Sequence, residues 1–136
     1  MSAVTGFAHV GVIVPKLAPI AELFGDRLGL PVRGPEPEPE LGLEVLWVTA
    51  GDTTIEFVAP TREDSRAAAV LARGEGGVHH VALRVEGLDG LLEQLAAAGS
   101  GVVLRDRTPR AGAHGSRVAF LEPEGSGALV ELVEGE

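Results

Sequence analysis

Two stretches of the chain share one hydrophobic pattern. In "AHVGVIV" (8–14) and "HHVALRV" (79–85) a histidine precedes a valine and a run of strand-forming residues, and His9 and His80 stand 71 positions apart. Behind each strand the apolar positions switch to helical spacing. Leu17, Ile20, Ala21, Phe24 and Leu28 follow the first strand and stop at Gly29; Leu88, Leu91, Leu92, Leu95 and Ala98 follow the second and stop at Gly99. Each helix is succeeded by a strand pair, over 42–60 with a turn at Gly51-Asp52 and over 115–135 with a turn around Glu124-Gly125. The pattern predicts an α+β fold built from two βαβββ modules, 7–60 and 78–134. A short helical linker over 61–77, with its helix around 64–73, joins them into one domain, 1–136. A module with one apolar sheet face cannot bury that face alone, so it packs on its twin. "GPEPEPE" (34–40) alternates proline with glutamate and predicts an exposed, extended loop.

Side chains alternate faces along a strand, which sorts the polar residues. In "HVALRV", His80, Ala82 and Arg84 share one face and Val81, Leu83 and Val85 the other. By the same count His9 opposes Val10, Val12 and Val14, Glu56 opposes Ile55 and Phe57, and Glu131 opposes Val130 and Leu132. Taken singly, each of these four is most simply a hydrogen-bonded structural residue. Taken together, two imidazoles and two carboxylates at matching positions of a repeat form a donor set suited to Zn²⁺, Ni²⁺, Co²⁺, Mn²⁺ or Fe²⁺. A cation also removes the penalty of burying them. His79 has the wrong parity and reads as a neighbour of the site or as loop.

Composition narrows the chemistry. The chain of 136 residues is 45% hydrophobic, enough for one core, and has no cysteine, so disulfides, thiolate metal sites and cysteine nucleophiles are excluded. No apolar run reaches membrane-spanning length and no charged-then-apolar leader opens the sequence, which reads as that of a soluble cytoplasmic protein without a membrane partner. A net charge of −9 argues against nucleic acid as a partner. Against that balance, Arg105, Arg107, Arg110 and Arg117 cluster and are suited to a phosphorylated or carboxylated ligand. "RAGAHGSR" (110–117) reads either as a mobile loop over a substrate, with Arg117 meeting a carboxylate, or as an ordinary connection.

The motifs "HVGVIV", "GDTTIEFVAPTREDS", "GEGGVHHVALRV", "GAHGSRVAFLEP" and "GALVELVE" together resemble the vicinal oxygen chelate superfamily, and within it the methylmalonyl-CoA epimerases, over nearly the whole chain. The resemblance implies modules paired into a cupped mixed sheet around a divalent metal held by His9, Glu56, His80 and Glu131. Many epimerases carry glutamine where Glu56 stands, and glyoxalase I enzymes commonly carry the same four ligands. It further implies a homodimer acting on a small molecule, an acyl-CoA. The implied reaction is epimerisation of methylmalonyl-CoA: the metal binds the thioester carbonyl and stabilises an enolate while a carboxylate removes the adjacent proton. Inversion requires a second acid/base, because one group returning its own proton regenerates the starting stereoisomer.

Glu131, with Glu44 or Glu40 opposite, are the catalytic candidates, and Arg84 and Arg117 the substrate-binding ones. The sequence departs from the epimerase pattern in three places: "ELGL" (40–43) stands for "EQGV", "EPE" (122–124) stands for "HPK", and Val45 takes the place of a strand glutamate of some bacterial epimerases. Glu44 is one step away and so, by alternation, on the opposite face. A glyoxalase-type lyase on a thiol hemithioacetal uses the same ligands and is the alternative reaction. A small-molecule-binding resistance protein of the same fold is the non-enzymatic one, though such proteins generally lack the full ligand set. An extradiol dioxygenase would need a two-histidine, one-carboxylate iron site with open positions.

Overall fold

A computed structural model describes residues 3–99 and 101–135. Ser100, in the turn expected after the second helix, and the outermost residues of the 1–136 span lie outside the described residues. The fold is α+β, with mixed parallel and antiparallel β-sheet and, among the described residues, three helices. By packing density the chain divides into two units, residues 9–79 and residues 3–8 with 80–135.

In residues 9–79, β1 (Val4–Ile13) enters from the other unit and runs parallel to β4 (Thr53–Pro60). β3 (Leu43–Ala50) pairs antiparallel with β4, and β2 (Val32–Glu38) pairs antiparallel with β3 at the sheet edge. One face buries Leu46, Val48, Phe57 and Ala59 under the first helix, α1, which begins at Ala18–Ile20 and continues as a wider π-type turn over Ala21–Arg27. Leu17, Ile20, Ala21 and Phe24 point into this core as their spacing predicts, with the Phe24 and Phe57 rings 5.2 Å apart. Leu28 does not: it is 57% exposed and Leu30 packs in its place. A π-type turn holds more residues than an α turn, so the last apolar position is carried round past the core. At the end of the other face, Ala67 and Val70 of α2 (Arg66–Ala72) close over Ile13, and the Ser65 hydroxyl caps α2 by accepting from the Ala68 N–H at 3.1 Å.

The expected loop at 34–40 is instead most of β2. Its prolines obscure this in the sequence, because proline has no N–H to donate and argues against a strand. At a sheet edge one side of the ladder has no partner strand, so Pro35 and Pro37 are tolerated there, and the interleaved glutamates discourage pairing with another chain.

In residues 3–8 with 80–135 the same plan recurs. β5 (Gly77–Val85) runs parallel to β9 (Val130–Glu134), β9 pairs with β8 (Arg117–Pro123), and β8 pairs with β6 (Val102–Leu104). Helix α3 (Leu88–Ala97) buries Leu88 and Leu92 against Val85, Ala119 and Leu132. The opposite face packs Ala8, Ala82, Val118 and Val133. The segment 110–117 is a closed hairpin rather than an open loop: β7 (Arg110–Ala111) pairs with Val118 and Arg117. Gly112 is needed for closeness, since a Cβ there would stand 2.6 Å from both Ser116 Oγ and Val118 Cγ1.

Helix α3 has no side chain of its own at its N-cap, Gly87. A carboxylate from β9 does that work: Glu134 Oε2 accepts from the Leu88 N–H at 2.9 Å, while its Oε1 accepts from Arg117 at 2.8 Å. The Leu88 backbone bond chiefly, helped by Arg117, holds the Glu134 carboxyl below its ordinary pKa. A depressed pKa means that the stabilisation is present above the carboxyl's unfolded pKa and is lost as pH falls through the folded one. A Glu134→Gln variant should therefore lose stability at neutral pH but show a shallower decline on acidification, read from melting temperature against pH. Parallel curves for the two proteins would refute this.

Candidate metal centre

β5 and β9 bring two of the sequence-predicted residues together. The ladder sets Ala82 against Glu131, and β8 sets Phe120 against Glu131 on the other side. His80, two residues before Ala82, shares that face, and its Nε2 lies 3.3 Å from Glu131 Oε1, with both side chains close to nine-tenths buried. The imidazole rests edge-on against the Phe120 ring at 5.2 Å, which restricts its rotation. Arg110 stacks on that ring at 5.3 Å and lies 3.3 Å from Asp106, whose carboxylate also accepts from the Phe120 N–H.

In the other half, β1 and β4 place Gly11 beside Glu56, so His9 and Glu56 share a face. His9 is 3% exposed, and its Nε2 lies 3.8 Å from Glu56 Oε2. The same oxygen accepts from the indole Nε1–H of Trp47 at 3.1 Å, and Arg33 stacks over that indole at 4.2 Å.

Each unit thus offers one imidazole and one carboxylate, His9 with Glu56 in residues 9–79 and His80 with Glu131 in residues 80–135. Imidazole nitrogens and carboxylate oxygens are a borderline donor set that fits a first-row divalent ion. Glu56 is also tied to Trp47.

The other sequence candidates are dispersed. Arg84 shares the His80 face of β5, and its guanidinium runs beside Gly6, where a Cβ would stand 3.2 Å from it. Arg117 donates to both oxygens of Asp89 and to Glu134, binding the start of α3 to β9. Glu44 pairs in register with Ala59, placing it on the α1 side of the sheet, whereas Val45 and Trp47 share the face of Glu56. The register thus leaves no one-residue shift that would turn Glu44 toward Glu56. Glu40 is exposed in the turn between β2 and β3, a turn held by Arg62 donating to the Pro39 carbonyl. As single aromatics in apolar strands, Trp47 and Phe120 carry no mark of the site in the sequence. The signal that finds them is hairpin register, since each stands directly across from a site acid.

Residues 8–120 match the model of the Glyoxalase/Bleomycin resistance protein/Dioxygenase superfamily. The chain is 38% identical over 126 residues to the ethylmalonyl-CoA/methylmalonyl-CoA epimerase of Cereibacter sphaeroides, covering 91% of this chain and 93% of that one. It is similar in structure to methylmalonyl-CoA epimerase from Mycobacterium tuberculosis, with a TM-score of 0.85, 32% identity and coverage of 100% and 91% of the two chains. A Streptomyces coelicolor methylmalonyl-CoA epimerase variant in complex with 2-nitronate-propionyl-CoA aligns with a TM-score of 0.80, 30% identity and coverage of 96% and 94%. No helix among the described residues is long and apolar enough to cross a membrane. The family match, the extent of these similarities and the shared α+β fold agree: the chain belongs to the Glyoxalase/Bleomycin resistance protein/Dioxygenase superfamily.

Proposed function

We propose that this chain is a divalent-metal-dependent epimerase acting on methylmalonyl-CoA or a close branched acyl-CoA, with modules 7–60 and 78–134 forming one domain. The single observation that carries the reading is the imidazole–carboxylate pair repeated in the two halves, His9 with Glu56 and His80 with Glu131, in a chain whose relatives are epimerases of such thioesters. These four residues would hold the ion. The ion would supply Lewis acidity toward the developing negative charge of an enolate.

The chain's own residues account for the rest of the chemistry. His80, braced by Phe120, and His9, beside Glu56, provide oriented imidazole donors. Glu131 combines a nearly buried carboxylate with an imidazole neighbour and is the proposed proton carrier next to the thioester. Glu40 remains the candidate second acid/base, because Glu44 stands on the α1 side of its sheet. Arg84, on the His80 face, is the proposed contact for the substrate's negative charge. Arg117 is omitted from this set, since its donors are engaged by Asp89 and Glu134.

Purified protein incubated with methylmalonyl-CoA in D₂O should incorporate deuterium at the carbon next to the thioester and interconvert the stereoisomers. Turnover of methylglyoxal with a thiol, and no deuterium in methylmalonyl-CoA, would overturn the proposal in favour of the lyase reading.

A further inference from the structure

The two halves of the chain carry the same small device, and one of the two rings has an N–H. β3 sets Trp47 across from Glu56, and β8 sets Phe120 across from Glu131, so aromatic and acid occupy equivalent places in the two hairpins. Each aromatic bears an arginine on its face, Arg33 at 4.2 Å and Arg110 at 5.3 Å. Only the indole has a donor to give, and it gives it to Glu56 at 3.1 Å. Trp47 is the chain's one tryptophan and is 6% exposed.

We infer that Trp47 is a positioning residue for Glu56: its indole N–H fixes one carboxylate oxygen beside His9, and Arg33 stacked on the ring strengthens that bond. The inference rests on the metal reading above and adds to it how one of the acids is held. A guanidinium over the face of an indole draws electron density from the ring, making the N–H a better donor. The carboxylate that accepts it is held in one orientation and has its charge partly satisfied, so it binds a cation as a fixed and weaker donor.

The test compares the wild type with Trp47→Phe, which keeps a ring under Arg33 and removes the N–H, and with Arg33→Met. Co²⁺ binding is followed by its visible absorption, and substrate KM is measured alongside. Trp47→Phe should weaken Co²⁺ binding about tenfold with KM unchanged, as loss of a hydrogen bond to a ligand does. Arg33→Met should show a smaller loss in the same direction, and the double variant no more than Trp47→Phe alone. Wild-type affinity in Trp47→Phe, or losses that add, would overturn the inference.

A second measurement needs no variant at position 47. One tryptophan gives one indole N–H resonance, whose exchange with solvent should be slow in the wild type and faster in Glu56→Ala. Equal exchange rates sink the inference even if Trp47→Phe fails to fold. A wild type that develops no Co²⁺ absorption removes the metal reading instead, and the indole exchange still decides the Trp47–Glu56 bond.

Discussion

A His80→Ala protein is expected to lose metal binding and turnover together. His80 is one of the proposed ligands, and alanine at this position takes the imidazole from beside Glu131 and leaves too few donors to dehydrate a first-row cation. Lewis-acid stabilisation of an enolate is worth several kcal/mol, so the rate should fall by about 10³-fold or more. The effect should also appear without substrate. A ligand that binds only the folded state at a hundred times its Kd adds about 2.7 kcal/mol of stability. Added Co²⁺ or Zn²⁺ should therefore raise the wild-type melting temperature and leave that of His80→Ala unchanged. Because the imidazole also fills space against Phe120, the variant's metal-free melting temperature should drop somewhat. Turnover by His80→Ala in the presence of a chelator would refute the metal-dependent mechanism outright.

The second large effect belongs to Glu131. Glutamine preserves its size and an acceptor oxygen toward His80, 3.3 Å away, but cannot take up a proton at neutral pH. If Glu131 carries the proton, Glu131→Gln should lose deuterium incorporation from solvent by about 10²- to 10⁴-fold, the usual range for a positioned acid/base. Measured beside Co²⁺ affinity, the variant separates two roles. A retained ion with lost exchange identifies a base; loss of both identifies a ligand on which everything depends. Undiminished exchange would exclude Glu131 from the chemistry and move attention to Glu40. The same assay on Glu44→Gln should show wild-type rates, because that side chain stands on the α1 side of its sheet.

Much of the fold is legible in the amino-acid sequence. Helix spacing behind each histidine strand located α1 and α3, and Gly29 and Gly99 end them with positive φ, +72° and +84°. The turns at 51–52 and 124–125 fall between strands as read. Strand alternation put Val12, Val14, Ile55 and Phe57 in one helix-covered core and Leu83, Val85, Val130 and Leu132 in the other, because a period of two is a property of the backbone and needs no knowledge of neighbours, whereas Val81, at the open end of β5, is 39% exposed. It likewise set His80 and Glu131 on the face away from α3.

The rest depended on neighbours. Whether "PEPE" is loop or strand turns on the presence of β3 alongside and of no strand beyond, a fact about sheet position that local propensity cannot carry. Leu28 was assigned to the core by an α period that the chain abandons halfway through the helix. Arg117 looked available until α3 and β9 brought Asp89 and Glu134 to it. The site divides along the same line. Residue type and alternation along single strands nominated His9, His80, Glu56 and Glu131, since both are encoded within a few adjacent positions. Which ring stands across from which acid, and hence that the Trp47 indole reaches Glu56, depends on register between strands nine to eleven residues apart, and register exists only once the strands have paired.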